Sequence, residues 1–267
     1  MTILLMWEMM PFVLNREKMK TVGPRGIPTE NVIVTNNTVY HGHGGFVIGS
    51  EMSGGVRNVH VSKCTFIGTD VGLRFKSTRG RGGVVENIYI SDINMIDIPT
   101  EAIRFNMFYS GNSPILEHDE DAKAEERDET LMPVTEETPS FRNIFMNNIT
   151  ATGSGQAAMF QGLPEMNLQN VKLTNAVLEA EKGIVILDAD GMVFHNVVVA
   201  TKKGAALTLY NSKNAEVRNF TANNGEDPDV RVLGKLTKNI NFQKADLADE
   251  GQIITGMQAT EDAYNLN

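Results

Sequence analysis

The sequence predicts an all-β protein whose short strands stack as the coils of a parallel β-helix. Three observations lead there. One motif, an asparagine followed by apolar residues at alternate positions, recurs as ENVIV, RNVHV, ENIYI, RNIFM and QNVKL, anchored on Asn31, Asn58, Asn87, Asn143 and Asn170. The anchors lie 27, 29, 56 and 27 residues apart, and a step of 56 fits either two turns or one turn with an insertion. A unit of this length cannot bury its apolar face alone, so such repeats stack on one another. Within each unit the apolar period is two, and no convincing amphipathic helix lies between units, which favours a solenoid over a doubly wound sheet.

Taken in order, Met1 to Val22 shows neither the motif nor its asparagine. Its opening, MTILLMWEMMPFVL, is interrupted by Glu8 and has no basic start and no small-residue cleavage site, so it is not expected to act as a signal peptide. The coils begin near Gly26. In the first, Val32 and Val34 point to one face and Ile33 to the other. A second strand follows in several units, as GFVIGS, GLRFKS, EAIRFN, GIVILD and AALTLY. The anchoring asparagines fall at equivalent turns and are expected to form a hydrogen-bonded ladder. Residues 110–140 break the pattern: they are acidic, carry Pro114, Pro133 and Pro139, and read as a long mobile loop, either a solvated excursion or the rim of a cleft. From Gly183 to Met257 alternation continues at looser spacing, completing and capping the stack. One domain over 25–267 is expected, with 1–24 outside it.

With 267 residues and 41% hydrophobic content the chain can bury a core without covalent staples. Cys64 is the sole cysteine, which excludes a disulfide framework and a cysteine-rich zinc site and suits a small buried hydrophobe. No apolar run reaches the roughly 18–20 residues of a membrane span. The net charge of −9 argues against a general nucleic-acid binder. Much of the acid sits between Glu117 and Glu137, so the mean says little about any one site.

The chemistry-bearing stretch is Val39–Gly83. In a strand, Arg74 and Lys76 project to the same side. A guanidinium grips a carboxylate in a bidentate fork and an ammonium adds a point charge, so an acidic protein can hold a local cationic site for an acidic polymer. Arg79 and Arg81 follow on the adjoining turn, either contacting substrate or as solvated cations. Glu51 suits a sugar hydroxyl contact or a turn role. The glycines around His43 allow close approach of backbone to a ligand. His41 reads as a site or turn residue, His60, His118 and His195 as solvent-facing or loop positions, and Asp70 and Asp97 as turn acids. No calcium, zinc or nucleotide motif is present.

Gly42-His43-Gly44, followed about 30 residues later by Arg74-Phe75-Lys76 inside a solenoid with matching flanks, resembles glycoside hydrolase family 28, the polygalacturonases and their pectin-degrading relatives, in its bacterial branch. The resemblance runs from Arg25 to Thr152, and beyond that only by general β-helix pattern. It implies a right-handed parallel β-helix with an open cleft along one face. It also implies hydrolysis of α-1,4 bonds between galacturonate units with inversion. The expected partner is an acidic plant polysaccharide, with no metal or organic cofactor, no nucleic acid, no membrane and a monomeric state. Carried over residue by residue, His43 supports or orients the catalytic acids, and Arg74 and Lys76 bind a galacturonate carboxylate. Full-length relatives are commonly exported, but nothing in this chain sets its compartment.

Family members carry three aspartates upstream, in an Asn-Thr-Asp and a Gly-Asp-Asp motif, and this sequence contains neither. Inverting hydrolysis needs one carboxylic acid for the leaving oxygen and one carboxylate to activate water. The chain as given is therefore expected to be inactive. Back-translation offers a reason. The codons of Trp7-Glu8-Met9-Met10-Pro11, read with the first two bases skipped, give Gly, Asp or Asn, Asp and Ala. Met1 to about Val22 is accordingly expected to be a frame-shifted stretch of a longer gene. The rival expectations are a non-catalytic pectin-binding β-helix, a decayed and poorly folding product, and, more weakly, a β-helical pectate lyase, for which the strands show no acid cluster.

Overall fold

The computed structural model describes residues 3–6, 13–14, 26–108, 131–243 and 253–266. Their strands join in one 18-stranded parallel sheet wound into a solenoid of about eight turns. The only helical element among them is the short 3-10 turn Glu261–Ala263. Alternation decides which side chains go in. Val34 and Val61 face the core while Ile33 between the coil's valines is 75% exposed. One inward column runs Ile48, Phe75, Phe105, Phe160, Ile186, Leu209 and Val232. In it Phe75 and Phe105 stack at 4.2 Å between ring centroids, and Phe141 meets both edge-on. Cys64 is buried among these apolar residues as expected, and burial pushes its thiol up.

The coil corners are made by residues in the left-handed region. All five motif asparagines sit there, at φ between 48° and 57°. A short amide side chain tolerates this conformation where most residues do not. Their side chains form the expected ladder: Asn58 donates to Asn31, Asn87 to Asn58, Asn143 to Asn87 and Asn170 to Asn143, at 2.8–3.4 Å. A second ladder, absent from the sequence reading, climbs the next corner through Asn147, Asn175, Asn196 and Asn219.

Register settles the 56-residue step. Glu86 pairs directly with Arg142, so Asn87 and Asn143 lie on adjacent coils and the step is one turn plus an insertion. Of the loop expected at 110–140, residues 110–130 lie outside the described residues, and 131–139 return along the surface with Leu131 68% exposed. Later coils are shorter, with cross-coil partners 21–25 residues apart. Ahead of the first motif, the backbones of Ile3–Met6 and Val13–Leu14 pair in parallel with Asn37–Tyr40 and Val47–Ile48. The stretch lacks the motif, yet it adds backbone to the stack, because a strand edge offers unpaired N–H and C=O groups to any extended segment.

The outward columns are ordered too. Motif position one reads Glu30, Arg57, Glu86, Arg142, and Arg57 bonds Glu30 at 2.6 Å as Arg142 bonds Glu86 at 2.7 Å. Position four reads Ile33, His60, Tyr89, Phe145, Lys172, with His60 stacked on Tyr89 at 4.8 Å and Tyr89 on Phe145 at 5.4 Å.

Candidate functional site

The site is assembled by register. Strand Phe46–Ile48 lies beside Leu73–Lys76, with Val47 opposite Arg74, and Glu101–Asn106 follows with Arg104 opposite Arg74 and Asn106 opposite Lys76. Leu73 and Phe75 are fully buried in the core, which leaves Arg74 and Lys76 on the outer face together, as alternation requires. Just ahead of this strand pair, His43 is 57% exposed, and its backbone carbonyl accepts a hydrogen bond from Arg74 Nη1 at 3.2 Å. His43, Arg74 and Lys76 thus lie on one side of the coil, His43 open to solvent, Arg74 half-buried and Lys76 buried.

Lys76 is only 5% exposed. Burial, with Arg74 and Arg81 nearby, lowers its ammonium to about 8, against a smaller opposing pull from Glu51. Arg81 bonds Glu51 at 2.7 Å, and that bond holds the Glu51 carboxyl below the usual range. These two sequence-predicted residues therefore form a neutral pair beside the Arg74–Lys76 cations. Arg79 grips Glu165 through two bonds of 2.7 and 2.8 Å and lies 5.1 Å from the Phe108 ring centroid. Glu165 is 4% exposed. Burial pulls its carboxyl up, but the Arg79 bond and backbone donors outweigh burial and leave it lowered. Arg79 is a strut tying the 77–83 turn to the loop 162–167. Gly45, expected to admit a ligand, answers an internal need: a Cβ there would fall 2.2 Å from the Phe66 ring.

Asp70 is the residue that sequence reasoning placed elsewhere. Its carboxylate lies 2.6 Å from His43 Nδ1. The signal was present as a spacing, since Asp70 is 27 residues after His43, the same step that joins Arg57 to Glu30 and Asn58 to Asn31. His41, at φ 53°, is a corner residue whose ring lies over Gly68, and Asp97 is likewise a left-handed corner. His60 and His195 are exposed on outer faces, and His118 lies outside the described residues. Among the described residues no three metal-ligating side chains come together.

Residues 26–154 match the family model described as glycosyl hydrolases family 28, and every site residue named above except Glu165 falls within the match. Over that stretch, just under half of its length, the chain is similar to glycoside hydrolase family 28. It is similar to the polygalacturonase of Ralstonia solanacearum, 42% identical over 87 residues, which is 31% of this chain and 16% of that enzyme. The exo-poly-alpha-D-galacturonosidase of Dickeya chrysanthemi is 30% identical over 91 residues, 34% of this chain and 15% of that one. The crystal structure of a hyperthermoactive exopolygalacturonase from Thermotoga maritima superposes with a TM-score of 0.53 at 30% identity, covering 65% of this chain and 35% of that chain. The match thus spans only a minor part of each relative's length.

Proposed function

We propose that this chain is the galacturonate-binding part of a polygalacturonase-type glycoside hydrolase acting on pectic polysaccharide, and that as given it binds the polymer without cleaving it. The observation that carries the reading is Arg74 and Lys76 side by side on the face that also presents His43. Arg74 takes the uronate carboxylate in a fork and Lys76 neutralises it as a point charge. Arg81 and Glu51, paired with each other, border the clamp, and a sugar hydroxyl competing for Glu51 is their proposed role; the Arg79–Glu165 strut holds the wall. The absence of turnover follows from the chemistry. Inversion needs an acid and a base carboxyl, and the sequence has neither the Asn-Thr-Asp nor the Gly-Asp-Asp motif. Glu51, held charged by Arg81, is no proton donor.

Calorimetry with trigalacturonate, run beside a reducing-sugar assay on polygalacturonate, tests both halves. Binding is expected, and Arg74→Ala weakens it by about 10- to 100-fold, the worth of one charge-assisted contact. Absence of binding removes the substrate reading. Measurable turnover by the pure chain removes the claim that it only binds.

A further inference from the structure

We propose that Asp70 is a positioning residue for His43. Its carboxylate accepts a hydrogen bond from Nδ1–H and leaves Nε2 as an unprotonated acceptor, offered to a ring hydroxyl of the uronate whose carboxylate rests on Arg74. The identity of that hydroxyl rests on the proposed function; the pairing of the two side chains does not.

A carboxylate only accepts, so a 2.6 Å contact with Nδ1 requires the proton on that nitrogen. A neutral imidazole carries one proton, and Nε2 then bears the lone pair. Nε2 has no hydrogen-bond partner among the described residues, and the side chain is more than half exposed. Asp70 is itself held from the coils on either side. Its N–H donates to the Gly42 carbonyl at 2.8 Å, and its carbonyl accepts from Thr100 N–H at 3.2 Å and from the Thr100 hydroxyl at 2.5 Å. His43 is held at its carbonyl by Arg74. Ring, carboxylate and clamp are therefore one unit built across three successive coils.

Stability does not account for the pair. Both side chains are about half exposed, and ion pairs of that kind contribute little to folding. Orientation does account for it. A lone pair beside a cationic clamp divides the labour, because the ligand's carboxylate is drawn to Arg74 and Lys76 and turned away from Nε2, where only a donating hydroxyl fits. A uronate is thereby accepted in one orientation.

The test is long-range proton–nitrogen correlation on the full chain with 15N-labelled histidine, His43 being assigned by the resonances lost in His43→Gln. With the ring neutral, wild type is expected to show a protonated Nδ1 and an unprotonated Nε2. Asp70→Ala is expected to collapse this to a mixed tautomer, and Asp70→Asn, whose amide oxygen still accepts, to retain it. Trigalacturonate is expected to move the Nε2 resonance, and Asp70→Ala to bind it about 3- to 10-fold more weakly, the worth of one neutral hydrogen bond. A mixed tautomer in wild type, or an unchanged one in Asp70→Ala, overturns the positioning role. A fixed tautomer with no response of any His43 resonance to trigalacturonate overturns the hydroxyl assignment, and if calorimetry also finds no binding the proposed function falls with it.

Discussion

Lys76 carries the most specific consequence at the scale of single residues. Burial beside Arg74 holds its ammonium near 8, so the free protein keeps both clamp charges below that pH and loses one above it. Affinity for an oligogalacturonate is expected to fall as pH rises through 8 to 9, where the ammonium loses its proton. Lys76→Arg, whose guanidinium stays charged, removes the fall. Titration calorimetry across that window checks it; a flat wild-type profile would place the ammonium elsewhere than on the ligand. The sequence showed Arg74 and Lys76 together because a period of two is local information. It did not show Asp70, because GTDVG satisfies every local rule for a turn and the residue that gives Asp70 its role lies one coil away. For Arg79 the partner is Glu165, on a loop that no repeat predicts, and only the folded chain brings the two together.

Among the elements, the corner ladders combine conformation with hydrogen bonding. Asn175 sits at φ 51°, donates to Asn147 at 2.8 Å and accepts from Asn196 at 2.8 Å. Asn175→Ala loses both bonds and forces a Cβ into the left-handed region, an expected loss of roughly 2–4 kcal/mol. Asn175→Gly loses the bonds but not the conformation and is expected to retain about 1 kcal/mol of that. Urea unfolding of the two variants separates the effects; equal losses would show that the corner is not conformationally demanding. The first ladder was legible because its asparagines recur at constant positions in the motif. The second was not, because its corner is filled variously by Asn36, Lys63, Asp92 and Asn148, so no single letter marks it.

Over the whole molecule, the described strands of each coil pair with those of the coils next to it, so a lesion in one layer weakens the coupling between the layers on either side. Phe105 is the test position: it stacks on Phe75 at 4.2 Å and packs against Phe160 at 5.2 Å. Phe105→Ala is expected to cost about 3–5 kcal/mol. It is also expected to lower the urea dependence of unfolding, because the two halves of the stack no longer melt together. A lowered midpoint with an unchanged slope would mean that cooperativity survives without the ring stack.

The alternating column of Glu30, Arg57, Glu86 and Arg142 gives the solenoid a parity. Excising the single layer that begins at Arg57 would bring Glu30 into register with Glu86, acid against acid, although every core column would still close. Excising that layer and the next would bring Glu30 onto Arg142 and restore the attraction. Like charges directly opposed across a strand pair are unfavourable by roughly 0.2–1 kcal/mol. By this reckoning coils in this part of the chain are gained or lost most easily in even numbers, and single-layer and double-layer deletions should differ in stability in that order.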